Sequence, residues 1–110
     1  MIEIIILKYL TEKMDVPVSM DKTDRDVKRY ILVERTGSSR SNFINTATFV
    51  FQSYAESRYE AAKLNEELKL NMDNIIELPQ ISRSALNSDY DYTNTQTKEY
   101  RYQAVYNIVY

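Results

Sequence analysis

Between Thr46 and Ile76 the spacing of apolar residues changes period. From Ala47 to Tyr54 the residues alternate, with Phe49 and Phe51 on one side and Thr48, Val50 and Gln52 on the other, which is the pattern of a strand with unlike faces. Ala61, Leu64, Leu68, Met72 and Ile75 then recur at helical spacing and form one apolar stripe. Ser57 followed by Glu60 has the form of a capping box, which predicts a helix from Arg58 to Asn74 with Ser57 at its N-cap. Such a helix is about 25 Å long, enough to cross a small sheet. Neither element can bury its apolar side alone, so the stretch predicts a helix lying on a sheet. Asn65 falls inside the stripe and needs hydrogen-bond partners, expected from nearby backbone. Tyr59 and Leu70 project from the opposite side, near Lys63 and Glu66, and suggest a partner surface.

Toward the N-terminus, Ile2, Ile5, Ile6, Tyr9 and Leu10 share a helical face. Lys8 and Glu12 add a charge pair one turn apart on the polar side. These predict a helix from Ile2 to Met14, although Ile4-Ile5-Ile6 alone would favour a strand. Ile4 lies off the stripe and is either a scattered surface residue or part of a contact with another chain. Val16 to Met20 reads as a short strand with Pro17 at its start or on an edge. Asp21 to Asp26 reads as a solvated loop. A strand beginning at Lys28 or Arg29 and ending at Thr36 places Ile31 and Val33 on one face and Tyr30, Leu32 and Glu34 on the other. Thr36 to Asn45 reads as a mobile hairpin loop, with Gly37 supplying a positive φ.

After the long helix, Pro79 stops further helical structure. Residues 81–91 read as an irregular strand, Thr93 to Thr97 as a turn, and Tyr100 to Ile108 as the clearest strand, making a terminal hairpin. The order α-β-β-β-α-β-β implies one two-layer α+β domain over residues 1–110, a mainly antiparallel sheet with helices on one face.

Composition narrows the chemistry. The chain has 110 residues, is 44% hydrophobic and 27% charged, and carries a net charge of -2. That is ordinary for a soluble domain and gives no general affinity for nucleic acid. The longest apolar run, Ile4 to Leu7, is too short to span a bilayer or to form a signal-peptide core. The expectation is an intracellular product, or a particle assembled inside a cell, with no membrane partner. Histidine and cysteine are both absent and Gly37 is the single glycine. Ser-His-Asp and Cys-His nucleophile systems, most zinc sites and glycine-rich phosphate loops are thereby excluded. Ten tyrosines are the unusual excess, suited to strand faces and interfaces.

Three constellations hint at chemistry. Arg35 and Arg40 flank the loop serines and suit a phosphate, but nothing fixes an anion nest there and solvated arginines are the plainer reading. Asp89 and Asp91 resemble half a metal site, yet no further ligand follows at a recognisable spacing. Tyr100-Arg101-Tyr102 suits base stacking, whereas aromatics on one strand face usually pack a core. No catalytic residue, cofactor or metal ligand is expected.

Three segments nevertheless resemble the tail terminator (tail completion) proteins of long-tailed, siphovirus-type bacteriophages: VERTGSS at Val33 to Ser39, TATFVFQSYAESRYEAAKLNEEL at Thr46 to Leu68, and SDYDYTNTQTKEYRYQAVYNI at Ser88 to Ile108. TGSSR departs from the more glycine-rich loop expected of relatives. The resemblance implies an antiparallel α+β fold and a hexameric ring in the virion, at the head-tail junction, assembled in the host cytoplasm. It implies that the ring caps the head-proximal end of the tail tube, stops tube polymerisation and provides the head-joining surface. The implied partners are further copies of the chain, the tail tube protein and the head-tail connector protein, with DNA passing through unbound. A head-completion or connector protein is the alternative; a regulatory binding module is disfavoured by charge, and an enzyme by the missing residue types. Ile4, Tyr59 and Leu70 are the candidate subunit-interface residues.

Overall fold

Strand turns into helix where the period changes. In a computed structural model, which describes residues 1–22 and 27–110, the Ser57 hydroxyl accepts a hydrogen bond from the Glu60 amide at 3.2 Å. The carboxylate of Glu60 turns to Arg29, 3.3 Å away, instead of reaching back to close a capping box. The expected loop at Asp21 to Asp26 lies partly outside the described residues.

Seven of the elements follow the expected order: α1 (Ile2–Lys13), β1 (Val18–Ser19), β2 (Tyr30–Ser41), β3 (Ile44–Ala55), α2 (Arg58–Asp73), β4 (Arg83–Asp91) and β5 (Tyr100–Val109), with a single 3-10 turn at Ile75–Glu77 ahead of Pro79. The sheet order is β1-β2-β3-β5-β4. β1 runs parallel to β2 and every other pairing is antiparallel. The fold is therefore α+β, with both helices against the sheet.

β3 is the central strand. It pairs with β2 from Tyr30↔Tyr54 to Ser41↔Ile44 and with β5 from Thr46↔Val109 to Ala55↔Tyr100. Its odd-numbered residues Ala47, Phe49 and Phe51 are consequently buried, in one core with Ile31 and Val33 of β2 and in register with Ala104, Tyr106 and Ile108 of β5. α2 lays Ala61, Leu64, Leu68 and Met72 on this face, and α1 adds Ile2, Ile6, Tyr9 and Leu10. One core results. Phe51 meets Tyr106 edge-on at 5.9 Å, and the single Tyr106 hydroxyl proton is shared between Asp73 Oδ1 at 3.0 Å and the Lys69 carbonyl at 3.2 Å. Burial and the Asp73 carboxylate push the Tyr106 phenol well above its ordinary range.

Four local expectations are corrected. The supposed loop from Thr36 to Asn45 is a β-hairpin: β2 continues to Ser41 and β3 begins at Ile44. Its two-residue turn, Asn42-Phe43, has φ of 51° and 66°, the positive pair that a type I′ hairpin turn needs. Gly37 does not have a positive φ; it sits at a bulge where the β2–β3 register shifts past Arg35, a usual place for glycine in a strand. The strand expected over Val16 to Met20 shrinks to Val18–Ser19, with the Pro17 carbonyl accepting from Ile31 N at 2.9 Å. In α1, Ile5 is only half-buried while Glu3 is buried, held by Arg35 at 3.2 Å.

A charged clasp fastens the corner between β3 and α2. Arg29 Nε donates to both oxygens of Glu56, at 3.0 and 2.9 Å, and its Nη2 also reaches Glu60. The guanidinium holds the Glu56 carboxyl down to about 2, from an ordinary value of 4.5. A depressed folded-state pKa gives stability that is present above the ordinary value and is lost as pH falls through the folded value. Glu56→Gln should therefore separate from wild type near neutral pH, and the gap in urea midpoint should close between about pH 4.5 and pH 2. A gap that stays constant over that window would exclude the clasp as a source of acid sensitivity. The effect is small because the pair is solvent-exposed.

Candidate assembly surfaces

The sheet face away from the helices is a linked layer of polar and aromatic side chains. Tyr54 stacks on Tyr30 with ring centroids 4.5 Å apart, and Arg101 donates from Nη1 to the Tyr54 hydroxyl at 2.9 Å. The same guanidinium lies 4.7 Å from the Tyr92 ring centroid. Tyr54 donates to Gln52 Oε1 at 3.2 Å, Gln52 donates to Gln103 Oε1 at 2.8 Å, and Gln103 donates to the Tyr90 hydroxyl. Strand alternation explains this: β3 residues with even numbers face their β5 partners Arg101, Gln103, Val105 and Asn107 across one side. The chain of bonds holds the side chains in place on a face that no helix covers.

The structure gives separate neighbours to the two aspartates and to the two arginines of the residue constellations. Asp89 accepts from Lys69 at 2.8 Å and from Asn65 Nδ2 at 3.0 Å. This carboxylate, not nearby backbone, meets the buried Asn65, and it pushes the Lys69 ammonium pKa up. Asp91 instead accepts from the Thr93 amide at 3.0 Å and pairs with Arg58 at 3.4 Å. The two carboxylates serve different neighbours and do not converge on a metal. Among the described residues no cluster of three or more acidic side chains is placed to hold one. Arg35 is taken by Glu3, and Arg40 lies over the Phe43 ring at 5.6 Å, so the two arginines do not form one anion site. Tyr100 and Tyr102 are half-buried and are not core residues, unlike Tyr106.

Ile4, Tyr59 and Leu70 are exposed by 57%, 72% and 64%. Tyr59 and Leu70 are eleven positions apart on α2, about 16 Å along its axis and within a small rotation of one another. They share its outer face. Ile4 belongs to a different surface, a groove of about 390 Å³ lined by Ile4, Ile5, Tyr9 and Leu78 together with Lys8 and Glu12.

The surface that sequence reading missed is the hairpin arm. Every residue from Glu34 to Ile44 is exposed; β1 covers β2 only at Ile31 and Leu32. At its tip Phe43 is 87% exposed and Ile44 54% exposed. A bulky side chain in the left-handed region costs about 1–2 kcal/mol, and glycine is the usual occupant of the second turn position. Phe43 is thus unfavourable for the hairpin and of no use to the core. The one local signal for the turn is Asn42, a residue that tolerates this conformation; the phenylalanine after it hides the familiar pair.

Comparison with protein-family models gives no match for this chain, and comparison with curated proteins gives none. No helix among the described residues is long and apolar enough to cross a membrane.

Proposed function

We propose that this chain is a structural subunit that assembles into a ring on the head-proximal end of a bacteriophage tail tube. There it stops tube growth and offers the surface that joins the head. The observation that carries the reading is the distribution of exposed apolar residues. A chain of 110 residues places Phe43 and Ile44 on an arm, Ile4 on α1, and Tyr59 and Leu70 on the outer face of α2. Exposed apolar groups on several separate surfaces suit a subunit with neighbours on more than one side. The α+β architecture agrees with what the resemblance at Val33–Ser39, Thr46–Leu68 and Ser88–Ile108 implies. A net charge of -2 suits a ring through which DNA passes without being gripped, since phosphate binding needs clustered cations.

The reading is tested on growing tubes. Purified chain added to polymerising tail tube protein should stop elongation when present at a small fraction of the tube subunits, leaving a closed ring at one end of each tube. Tubes that lengthen at an unchanged rate, with bare ends in electron micrographs, would overturn it.

A further inference from the structure

We infer that the arm tip of one copy, Phe43 with Ile44, seats in the α1 groove of the next copy, making a head-to-tail contact. This deepens the ring reading and rests on it. Four observations place knob and groove together.

The first is that the tip has no role in its own chain. Phe43 occupies a backbone conformation that disfavours it and leaves its ring in solvent, and strain of this kind persists where a side chain is used for something else. The second is that the groove, lined mainly by apolar side chains with Lys8, Glu12 and Gln80 among them, is open and large enough to take a phenyl ring with an isoleucine beside it. Its walls, Ile4, Ile5, Tyr9 and Leu78, come from α1 and from the segment after the 3-10 turn.

The third is that one molecule cannot fill its own groove. Glu3 near the start of α1 pairs with Arg35, while the chain just after α1 pairs through Val18 with Ile31. β2 therefore runs antiparallel to α1 and passes its N-terminal end at Arg35. From there to Ser41 it continues about 20 Å further in the same direction, bonded to β3 as far as Ser41↔Ile44. The tip points away from the groove. The fourth is charge. Arg40 accompanies the tip, Glu12 and Lys8 line the groove one turn apart, and among the described residues none of the three has an ion-pair partner, so a seated tip can set Arg40 against Glu12 on the side away from Lys8.

A knob and a groove on different surfaces of one chain make a heterologous contact. Such a contact closes into a ring or propagates as a filament, and does not stop at a dimer.

The chain has no cysteine, so single cysteines report the contact cleanly. Chains carrying Phe43→Cys and Leu78→Cys, mixed and oxidised at concentrations where the wild type self-associates, should form the mixed disulfide severalfold over either homodimer. The double variant Phe43→Cys/Leu78→Cys should give a ladder of multimers. Phe43→Gly relieves the turn, so its melting temperature should hold or rise while self-association weakens about tenfold or more, the loss expected when a buried phenyl contact is removed. Arg40→Glu should weaken assembly and Glu12→Arg should restore it in the same chain. If the wild type assembles but cross-links form in statistical proportion and Phe43→Gly assembles normally, the contact inferred here is wrong while the ring reading stands. Tyr59→Ser and Leu70→Ser then test the α2 face instead. If the wild type stays monomeric at high concentration and on tube ends alike, both fall.

Discussion

Leu68→Ala should cost the fold about 2–5 kcal/mol, as truncations of fully buried leucines do. Leu68 is completely buried on the α2 stripe, above the sheet face that carries Phe49, Phe51 and Tyr106. The cost depends on how far the surroundings relax into the cavity. Here they are pinned. The Tyr106 hydroxyl is bonded to α2 itself at Asp73 and Lys69, Phe51 packs against the Tyr106 ring, and both residues sit on strands paired along their length. The loss should therefore fall toward the upper part of the range. It is a large share of the roughly 5–15 kcal/mol that holds a domain together. Urea unfolding read by far-ultraviolet circular dichroism measures it. A loss under about half a kcal/mol, the usual range for a surface site, would count against this packing.

On the proposed reading as a tail terminator, removal of the chain from a phage that encodes it should give filled heads beside free tails of uncontrolled, often excessive, length. A tube grows by adding identical rings, so its end stays competent until something binds there and presents a different surface. A terminator has to match the tube end on one side and mismatch further tube subunits on the other. The unlike surfaces of this chain suit that demand: arm and outer helix faces carry single exposed apolar side chains, whereas the uncovered sheet face is a bonded layer of polar and aromatic side chains centred on Gln52, Gln103 and Arg101. A head-completion protein would behave differently. Its loss should leave tails of normal length and heads that fail to retain DNA or to join. Electron microscopy of lysates from the deletion separates the two, and uniform tails of normal length would falsify the terminator assignment in favour of the connector.

The sequence by itself determined α2, β3 and β5. Their apolar residues recur at one unambiguous period, and Ser57 marks the change of period with a side chain that caps the helix. Local signals of that kind act over a few residues, so they are legible without the fold. The exposure of Ile4, Tyr59 and Leu70 was legible for the same reason, as departures from a helical stripe. The tertiary structure alone decided the arm. Residues Thr36 to Ser41 are polar or glycine at every position, so no alternation marks a strand; they become one because Asn42-Phe43 folds them onto β3, whose own residues set the register. Gly37 likewise answers to that pairing, at a bulge, and not to a turn. Asn65 finds Asp89 and Lys69 finds the same carboxylate across 24 and 20 residues of chain, a meeting that exists only once α2 lies over β4. Strand length, edge exposure and buried polar partners are properties of pairs of segments, and a pattern read along one segment does not contain its partner.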